Sequence, residues 1–379
     1  MRAWRSSLVG SGVLAAVLAV AWAVALLGAP LAVLVRNTPG LEGWAQRLLP
    51  SPPVRLVVLP TAGDAAETGA LYLPVGSASR PGVLLVNGTE VPQGWRDPDI
   101  ERFARSLAEL GNAVYVPDLP GLKDTRLSAR ALPALAADIA WLHASGYARG
   151  GRVVLLGVCV GASLALIAAA EPANRGAVAS VIGLDPYASL ADVLRAATTG
   201  MGPNAAGRLA PFAMAAWVQA DVARAVAAPL VGSAPSRQRV LQALARSSPL
   251  DPLRGYTAPP SAALSASGRA WWRLLGNRDP ARFAALLAAL PAPTRQALNA
   301  FSPLGVVQQI QAPVLLVAPE VDFAFPAGDA TALQQANPSR VQLIRSAALD
   351  HVTPSFSPGQ LAGYWQLLHF AIQGSRLLA

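Results

Sequence analysis

The sequence predicts an α/β fold: a mostly parallel sheet with helices on both faces, a helical cap inserted into it, and one transmembrane helix before it. Three observations predict this arrangement. Strand-like and helix-like segments alternate from residue 54 onward, and the alternation stops over 188–302, where Ala, Leu, Arg and Pro dominate. The alternation of strands and helices is typical of a sheet covered on both faces. Before this region, no charged residue occurs between Ser6 and Val35.

The N-terminal segment 1–36 predicts a membrane anchor, with residues 8–35 in the bilayer. At about 1.5 Å per helical residue, an apolar run of this length spans the roughly 30 Å hydrocarbon core. Arg2 and Arg5 precede the run, which favours a cytoplasmic N-terminus and an extracytoplasmic location for the rest of the chain. The alternative is a cleaved signal peptide, with small residues around Ala23 at the cleavage site and a secreted product.

A linker rich in proline and glycine, 37–53, precedes the domain 54–379. Within the domain, short apolar runs predict strands, and amphipathic or Ala-rich runs predict helices. The predicted strands are Val54–Leu59, Ala70–Leu73, Val83–Asn87, Ala113–Val116, Arg152–Gly157, Val178–Leu184, Val314–Ala318 and Val341–Arg345. The predicted helices are Asp97–Leu110 with Asp97 as N-cap, Leu132–Ala144, one from Ala162, and Gln360–Gln373. The cap 188–302 is inserted after one of the strands.

Composition excludes several classes of function. The net charge is +9, but the arginines are dispersed along the chain, whereas nucleic-acid binding requires a clustered basic surface. A single cysteine, Cys159, rules out an intramolecular disulfide. One cysteine and three histidines do not make a structural zinc site. We therefore expect no metal, no cofactor and no nucleic-acid partner.

The most informative motif is Gly157-Val158-Cys159-Val160-Gly161, which lies between a buried strand and a buried helix. A turn of this type holds its central residue in a strained conformation with the side chain above the sheet, and the flanking glycines allow the close approach. The backbone N–H of Val160, at the helix N-terminus, can face a developing oxyanion. The motif predicts Cys159 as a nucleophile; the alternative is a small buried cysteine in a glycine-rich turn.

A nucleophile of this type needs a base and an acid from later strands. Asp322 follows the strand Val314–Ala318, and His351 follows the strand Val341–Arg345. The imidazole would accept the thiol proton, and the carboxylate would orient the imidazole. We therefore predict a Cys159–His351–Asp322 triad.

Other acids and histidines compete for these roles. Glu320 lies earlier in the loop of Asp322, and Asp350 is adjacent to His351, so that its side chain should diverge from the imidazole. Asp185 ends the strand Val178–Leu184 and is interpreted as a structural loop residue. His143 and His369 fall within predicted helices and are interpreted as surface or packing residues.

Residues 54–379 resemble an α/β-hydrolase in which cysteine replaces the more common serine. Besides the Cys159 turn, the resemblance includes the loop Val114–Gly121 and the approach to the acid strand from Ser302 to Val317. Dienelactone hydrolases resemble the chain most, through their G-x-C-x-G turn. Polyhydroxyalkanoate synthases are a more distant resemblance, because their triad Asp is followed by His, whereas Phe323 follows Asp322 here.

The resemblance also implies supporting residues and a function. It implies that Gly88 or Thr89 supplies a second oxyanion donor beside Val160, and that Glu90 lies on the same loop. The implied activity is hydrolysis of an ester, lactone or thioester of a small, apolar acyl compound through an acyl-cysteine. The alternatives are an acyltransferase of the same fold and a catalytically silent, membrane-tethered binding module. The cap is expected to cover the site with Trp217, Trp271 or Trp272 nearby.

Overall fold

The computed structural model describes residues 28–41, 43, 52–76, 80–89, 91–355 and 357–379. Its main sheet has eight strands: β1 (Val54–Pro60), β2 (Thr68–Pro74), β3 (Gly82–Val86), β4 (Val114–Pro117), β5 (Val153–Val158), β6 (Val178–Leu184), β9 (Val314–Pro319) and β10 (Val341–Ser346). Two small ribbons are formed by β7 (Met201–Pro203) with β8 (Leu209–Pro211), and by β11 (Leu349–Asp350) with β12 (Thr353–Pro354).

The sheet has the order β1-β2-β4-β3-β5-β6-β9-β10. Strand β2 pairs antiparallel with β1 and β4, and every other pair in the sheet is parallel. The predicted mostly parallel sheet is therefore confirmed. Six neighbouring strands of this sheet run in the same direction: β4, β3, β5, β6, β9 and β10. Their carboxyl ends therefore meet at one edge, and ligands of open α/β sheets bind outside that edge.

The helices are α1 (28–36), α2 (Pro98–Ala108), α3 (Ala131–Ala144), α4 (Val160–Ala170), α5 (Leu190–Thr199), α6 (Ala216–Val222), α7 (Ala234–Arg246), α8 (Ala266–Leu275), α9 (Pro280–Ala288), α10 (Ala292–Ala300), α11 (Gly328–Ala336) and α12 (Leu361–Leu377). As predicted, Asp97 caps α2, accepting hydrogen bonds from the amides of Asp99 and Ile100.

Alternating strand residues divide the core between the two faces of the sheet. Leu84 and Leu155 pack with α3 and α4, whereas Leu85 and Leu156 pack with α2 and the end of α12. Both sets are apolar because the strands are buried on both sides. This is why the strand sequences are continuous apolar runs.

The insertion between β6 and β9 contains α5 to α10 and the β7–β8 ribbon. The ribbon was not predicted, because each of its strands has only three residues and gives no detectable alternation. The insertion has its own apolar interior, which includes Trp271, Tyr256 and Phe283, all fully buried.

The predicted membrane segment falls largely on residues 1–27, which lie outside the described residues. Among the residues that the structure does describe, no helix is both long and apolar enough to span a bilayer. Helix α1 lies against α2: Arg36 forms a half-buried ion pair with Glu109, and the Asn37 amide donates a hydrogen bond to Ser106 Oγ at 3.0 Å.

Candidate active site

Cys159 lies at the turn between β5 and α4, with φ 54° and ψ −122°. Its amide donates a hydrogen bond to the carbonyl of Leu184 at 2.8 Å. A Cβ at Gly157 would overlap the backbone of Ala162, and a Cβ at Gly161 would overlap that of Val86. Only glycine fits at both positions, so the strained cysteine is held between two close backbone contacts.

The predicted oxyanion residues surround this cysteine. Val160 is the first residue of α4, so its amide is among those that have no partner within the helix. Gly88 lies directly against the nucleophile: a Cβ placed there would be 3.2 Å from Cys159 Cβ and 3.7 Å from Sγ. Thr89 lines the same small cavity as Cys159 and Val160. Glu90 lies outside the described residues.

His351 follows β10, the outermost strand on this side of the sheet. It lies at the same edge as Cys159 and is only 4% exposed. Its Nδ1 lies 2.7 Å from Asp185 Oδ2 and 3.3 Å from Asp322 Oδ1. The imidazole packs between Phe323 and Phe325, with ring centroids 5.3 and 5.5 Å away. The ring is thus oriented by two carboxyls at one nitrogen and by two aromatic rings at its faces.

The two carboxyls differ in charge. Burial would raise the pKa of Asp322, but hydrogen bonding to His351, the charge of His351 and backbone amides hold it below the usual range. Oδ1 and Oδ2 of Asp322 accept the amides of Phe323 and Phe325, each at 2.7 Å. Burial and the negative charge of Asp322 raise the pKa of Asp185 well above the usual range. The pKa values of the two carboxyls are thus shifted in opposite directions, and Asp322 is the more acidic of the pair.

The imidazole and the thiol influence each other. Burial alone would lower the pKa of His351, but the negative charge of Cys159 and the two aspartates raise it far above the usual range. Because both aspartates lie at Nδ1, Nε2 is the nitrogen that remains for the sulfur. Within the part of the chain that the structure describes, Nε2 has no well-aligned hydrogen bond. An imidazolium beside a thiolate is the reactive form of a cysteine nucleophile.

The interpretation of Asp185 as a structural loop residue was wrong. Strands β6 and β9 are neighbours in the sheet, so the residues that follow them both reach His351. Four described residues other than glycine have positive φ, namely Thr125, Cys159, Asp185 and His351; three of these form the site. Strained backbone positions cluster at functional sites. The glycine-flanked turn predicted the strain at Cys159, whereas no sequence motif marks it at Asp185 or His351.

The rival residues do not compete for these roles. Glu320 and Asp350 are exposed, and neither is among the carboxyls that contact His351. His143 and His369 are exposed on α3 and α12, and Nδ1 of His143 lies 2.6 Å from the carbonyl oxygen of Gly151.

The insertion covers Cys159 and leaves a cavity of about 50 Å³ above it. Its lining is mostly aliphatic and comes from α5, α6 and the π-helical turn Ala223–Ala227: Leu190, Val193, Val218, Val222 and Val226. Of the three tryptophans expected nearby, only Trp217 approaches, packing on Phe323 at 5.5 Å. The other two tryptophans named as alternatives, Trp271 and Trp272, lie elsewhere. Trp271 is buried in the interior of the insertion, and Trp272 donates to the Ala258 carbonyl.

Asp185, Asp322 and His351 are also near enough to share a metal ion, with ligand atoms within 4.8 Å of one another. Their donor atoms, however, are already engaged with each other at Nδ1 of the imidazole.

The sheet order, the strand–cysteine–helix turn and the acid and histidine on later strands define an α/β-hydrolase architecture. A family model described as "Dienelactone hydrolase family" matches residues 119–205. This segment includes the Cys159 turn and Asp185, and the match supports an enzyme that hydrolyses ester bonds.

Solved structures with similarity to the chain are distant. A 2,6-dihydroxy-pseudo-oxynicotine hydrolase is 15% identical (TM-score 0.48; 89% of this chain and 72% of that one covered). An esterase from the archaeon Pyrobaculum calidifontis is 17% identical (TM-score 0.44; 86% and 85% covered). DcsB, solved with a substrate analogue, is 16% identical (TM-score 0.49; 86% and 100% covered). No curated protein matches the chain significantly. What the chain does is inferred from its own residues.

Proposed function

We propose that the chain is a thiol hydrolase that cleaves an ester, lactone or thioester through an acyl-cysteine on Cys159. The observation that carries the proposal is the strained Cys159 at the start of α4, beside an imidazole whose pKa its charge raises. A merely structural cysteine in a turn would not need a buried histidine held by two carboxyls.

The mechanism follows from the positions of these groups. The thiolate of Cys159 attacks the acyl carbon, and the amides of Val160 and of Gly88 or Thr89 stabilise the oxyanion. His351 then gives its Nε2 proton to the leaving oxygen or sulfur, and the acyl-cysteine forms. In the second half, neutral His351 takes a proton from water, which attacks the acyl carbon and releases the acid and the thiolate.

The aliphatic lining of the cavity supports an apolar acyl group. The carboxylate in the lining, Asp221, forms an ion pair with Arg224. The cavity volume of about 50 Å³ is well below the ~300–1,000 Å³ of ordinary ligand sites. A substrate larger than a short acyl chain therefore requires α6 and the turn after it to move away from Cys159.

Kinetics with matched histidine variants test the proposal. A panel of p-nitrophenyl esters and acyl thioesters of increasing chain length should be hydrolysed, with the shorter apolar acyl groups preferred. His351→Ala should lower kcat/KM by about 10³-fold or more, whereas the exposed His143→Ala and His369→Ala should change it less than about twofold. Activity that survives His351→Ala would contradict the proposal.

Product analysis separates hydrolysis from acyl transfer, because both share the acyl-cysteine. With alcohols, amines or thiols present at millimolar concentration, a hydrolase releases mainly the free acid. Predominant transfer to one of these acceptors would assign an acyltransferase. No adduct and no turnover with any ester or thioester would favour the binding module.

We also propose that residues 8–27 of the predicted segment 8–35 anchor the chain in a membrane, with the enzyme on the extracytoplasmic side, because residues 28–36 pack against the domain as α1. The absence of charge from Ser6 to Val35 supports this proposal. The full chain should stay in the membrane fraction after alkaline carbonate washing, and a chain that begins at residue 37 should not. Release of the full chain, shortened at its N-terminus, would instead identify a cleaved signal peptide.

A further inference from the structure

A second and larger cavity lies on the opposite face of the sheet from the insertion. Its volume is about 430 Å³. Strands β5, β6 and β9 supply one wall through Leu156, Val158, Ile182, Leu184 and Val317. Helices α2 and α12 supply the sides, and α1 together with the residues that follow it forms another wall.

The lining of this cavity is mostly apolar. Most of its walls are aliphatic or phenylalanine side chains, including Phe103 of α2 and Phe370 of α12, and Asn37, Thr353 and Ser375 are uncharged polar residues in the lining. The charged residues in the lining are Asp99 and Arg102, which form an ion pair with each other. Arg102 is 34% exposed at its side chain, and its Nε has no hydrogen-bond partner among the described residues. This is a mostly apolar chamber with one charged pair.

We propose that the cavity binds a single unbranched alkyl chain, whose polar headgroup lies at Asp99 and Arg102. Its volume is well above the ~150 Å³ of an apolar cavity that accepts benzene, and it falls within the ~300–1,000 Å³ of ordinary ligand sites. Of the uncharged polar residues in the lining, Asn37 and Ser375 donate their side-chain hydrogen bonds within the protein, to Ser106 and to the Ile372 carbonyl. The sequence that leads into α1 is uncharged back to Ser6, which suits this side of the molecule to lipid. The chain could belong to a membrane lipid or to a free fatty acid.

The cavity is also adjacent to the backbone of the catalytic residues. Val158, Leu184 and Val352 line it, and they are the immediate neighbours of Cys159, Asp185 and His351. A bound alkyl chain therefore packs directly behind the strained positions of the active site.

A ligand that binds only the folded chain raises the melting temperature of the protein, and we expect this effect from long-chain alkyl ligands.

A binding experiment on the full chain tests the proposal. The protein is kept in a sterol-based detergent, which has no alkyl chain to compete, and is titrated with a fluorescent long-chain polyene fatty acid. We expect saturable binding of one probe per chain and a higher melting temperature. Alkylation of Cys159 with iodoacetamide should leave this binding unchanged, because the thiol faces the other side of the sheet.

Gly374→Leu is the decisive variant. A Cβ at Gly374 meets only Ile182 Cδ1, at 3.8 Å, so a larger side chain enters the cavity without a backbone clash. We expect probe affinity to fall about tenfold or more, while hydrolysis of short esters changes less than about twofold. Ala362→Leu, on the exposed face of the same helix, is the matched control and should bind normally. Ala371→Phe, which also fills the cavity, serves if Gly374→Leu does not fold.

Two results would overturn the proposal. One is the absence of saturable binding; the other is binding that survives Gly374→Leu and Ala371→Phe but is lost on alkylation of Cys159, which would put the probe under the insertion instead. Competition identifies the source of the chain. Displacement by free fatty acid alone indicates a soluble acid, and displacement by phospholipid vesicles indicates a membrane lipid.

Discussion

The loops after β6 and β9 bring two carboxyls to one nitrogen of His351, but the loops are built differently. In the β9 loop, Asp322 accepts two backbone amides, which hold it ionised. In the β6 loop, Asp185 lies closer to the imidazole, at 2.7 Å rather than 3.3 Å, and burial with the charge of Asp322 raises its pKa. The nearer carboxyl thus orients the ring, and the farther one supplies most of the charge.

This difference implies that each aspartate can replace the other in part. The charge of Asp322 is a main reason why the pKa of Asp185 is raised. If Asp322 were neutral, the pKa of Asp185 would fall, and Asp185 would then ionise beside His351. Two carboxyls that share one proton behave as a unit, so their losses should not add.

The largest expected effect comes from removing both charges. Asp185→Asn combined with Asp322→Asn should lower kcat/KM by about 10³- to 10⁴-fold, because nothing then holds the imidazolium or its tautomer. Steady-state kinetics on the best ester measures this loss. Asp350→Asn, which changes the exposed neighbour of His351, is the control and should stay within about twofold of wild type.

Each single substitution should cost much less than the pair. We expect about a 10- to 100-fold loss of kcat/KM for Asp322→Asn and about tenfold for Asp185→Asn, because the remaining carboxyl ionises and keeps its hydrogen bond to Nδ1. The same kinetic assay gives the double-mutant cycle. An Asp322→Asn variant as inactive as the double variant would reduce Asp185 to a structural role.

The pH profile should distinguish the two loops further. The hydrogen bond to Asp322 is one of the interactions that raise the pKa of His351, so Asp322→Asn should lower this pKa and move the alkaline limb of kcat/KM to lower pH. Asp185→Asn removes the carboxyl whose pKa is raised, so the alkaline limb of this variant should move less. Profiles of both variants with a thioester substrate check this order; a larger shift for Asp185→Asn would reverse the assignment of charge.

The smallest expected effect concerns Trp217 of α6, whose ring packs on the outer side of the β9 loop. Trp217 is 44% exposed and packs on Phe323, which packs on His351. Trp217→Ala should raise KM for esters of bulky acyl groups about two- to fivefold and leave kcat nearly unchanged. Trp365→Ala, an exposed tryptophan on α12, is the control. A fall in kcat without a change in KM would point to disordering of the acid loop instead.

The sequence was sufficient for features that depend on local geometry. The Cys159 turn, the cap of α2 by Asp97 and the strand runs each follow from neighbouring residues. The role of Asp185 was missed because it depends on β6 and β9 being adjacent across an insertion of more than a hundred residues. The positions of Trp271 and Trp272 could not be predicted for a similar reason, since the interior of the insertion is set by packing between its own helices.

The identity of the acylated residue tests the central claim most directly. A slowly hydrolysed ester is mixed with the protein, the reaction is quenched in acid, and the intact mass is measured before peptide mapping. We expect one acyl group per chain, on the peptide that carries Cys159, and none in Cys159→Ala. An adduct on any other residue, or full turnover by Cys159→Ala, would contradict the acyl-cysteine mechanism.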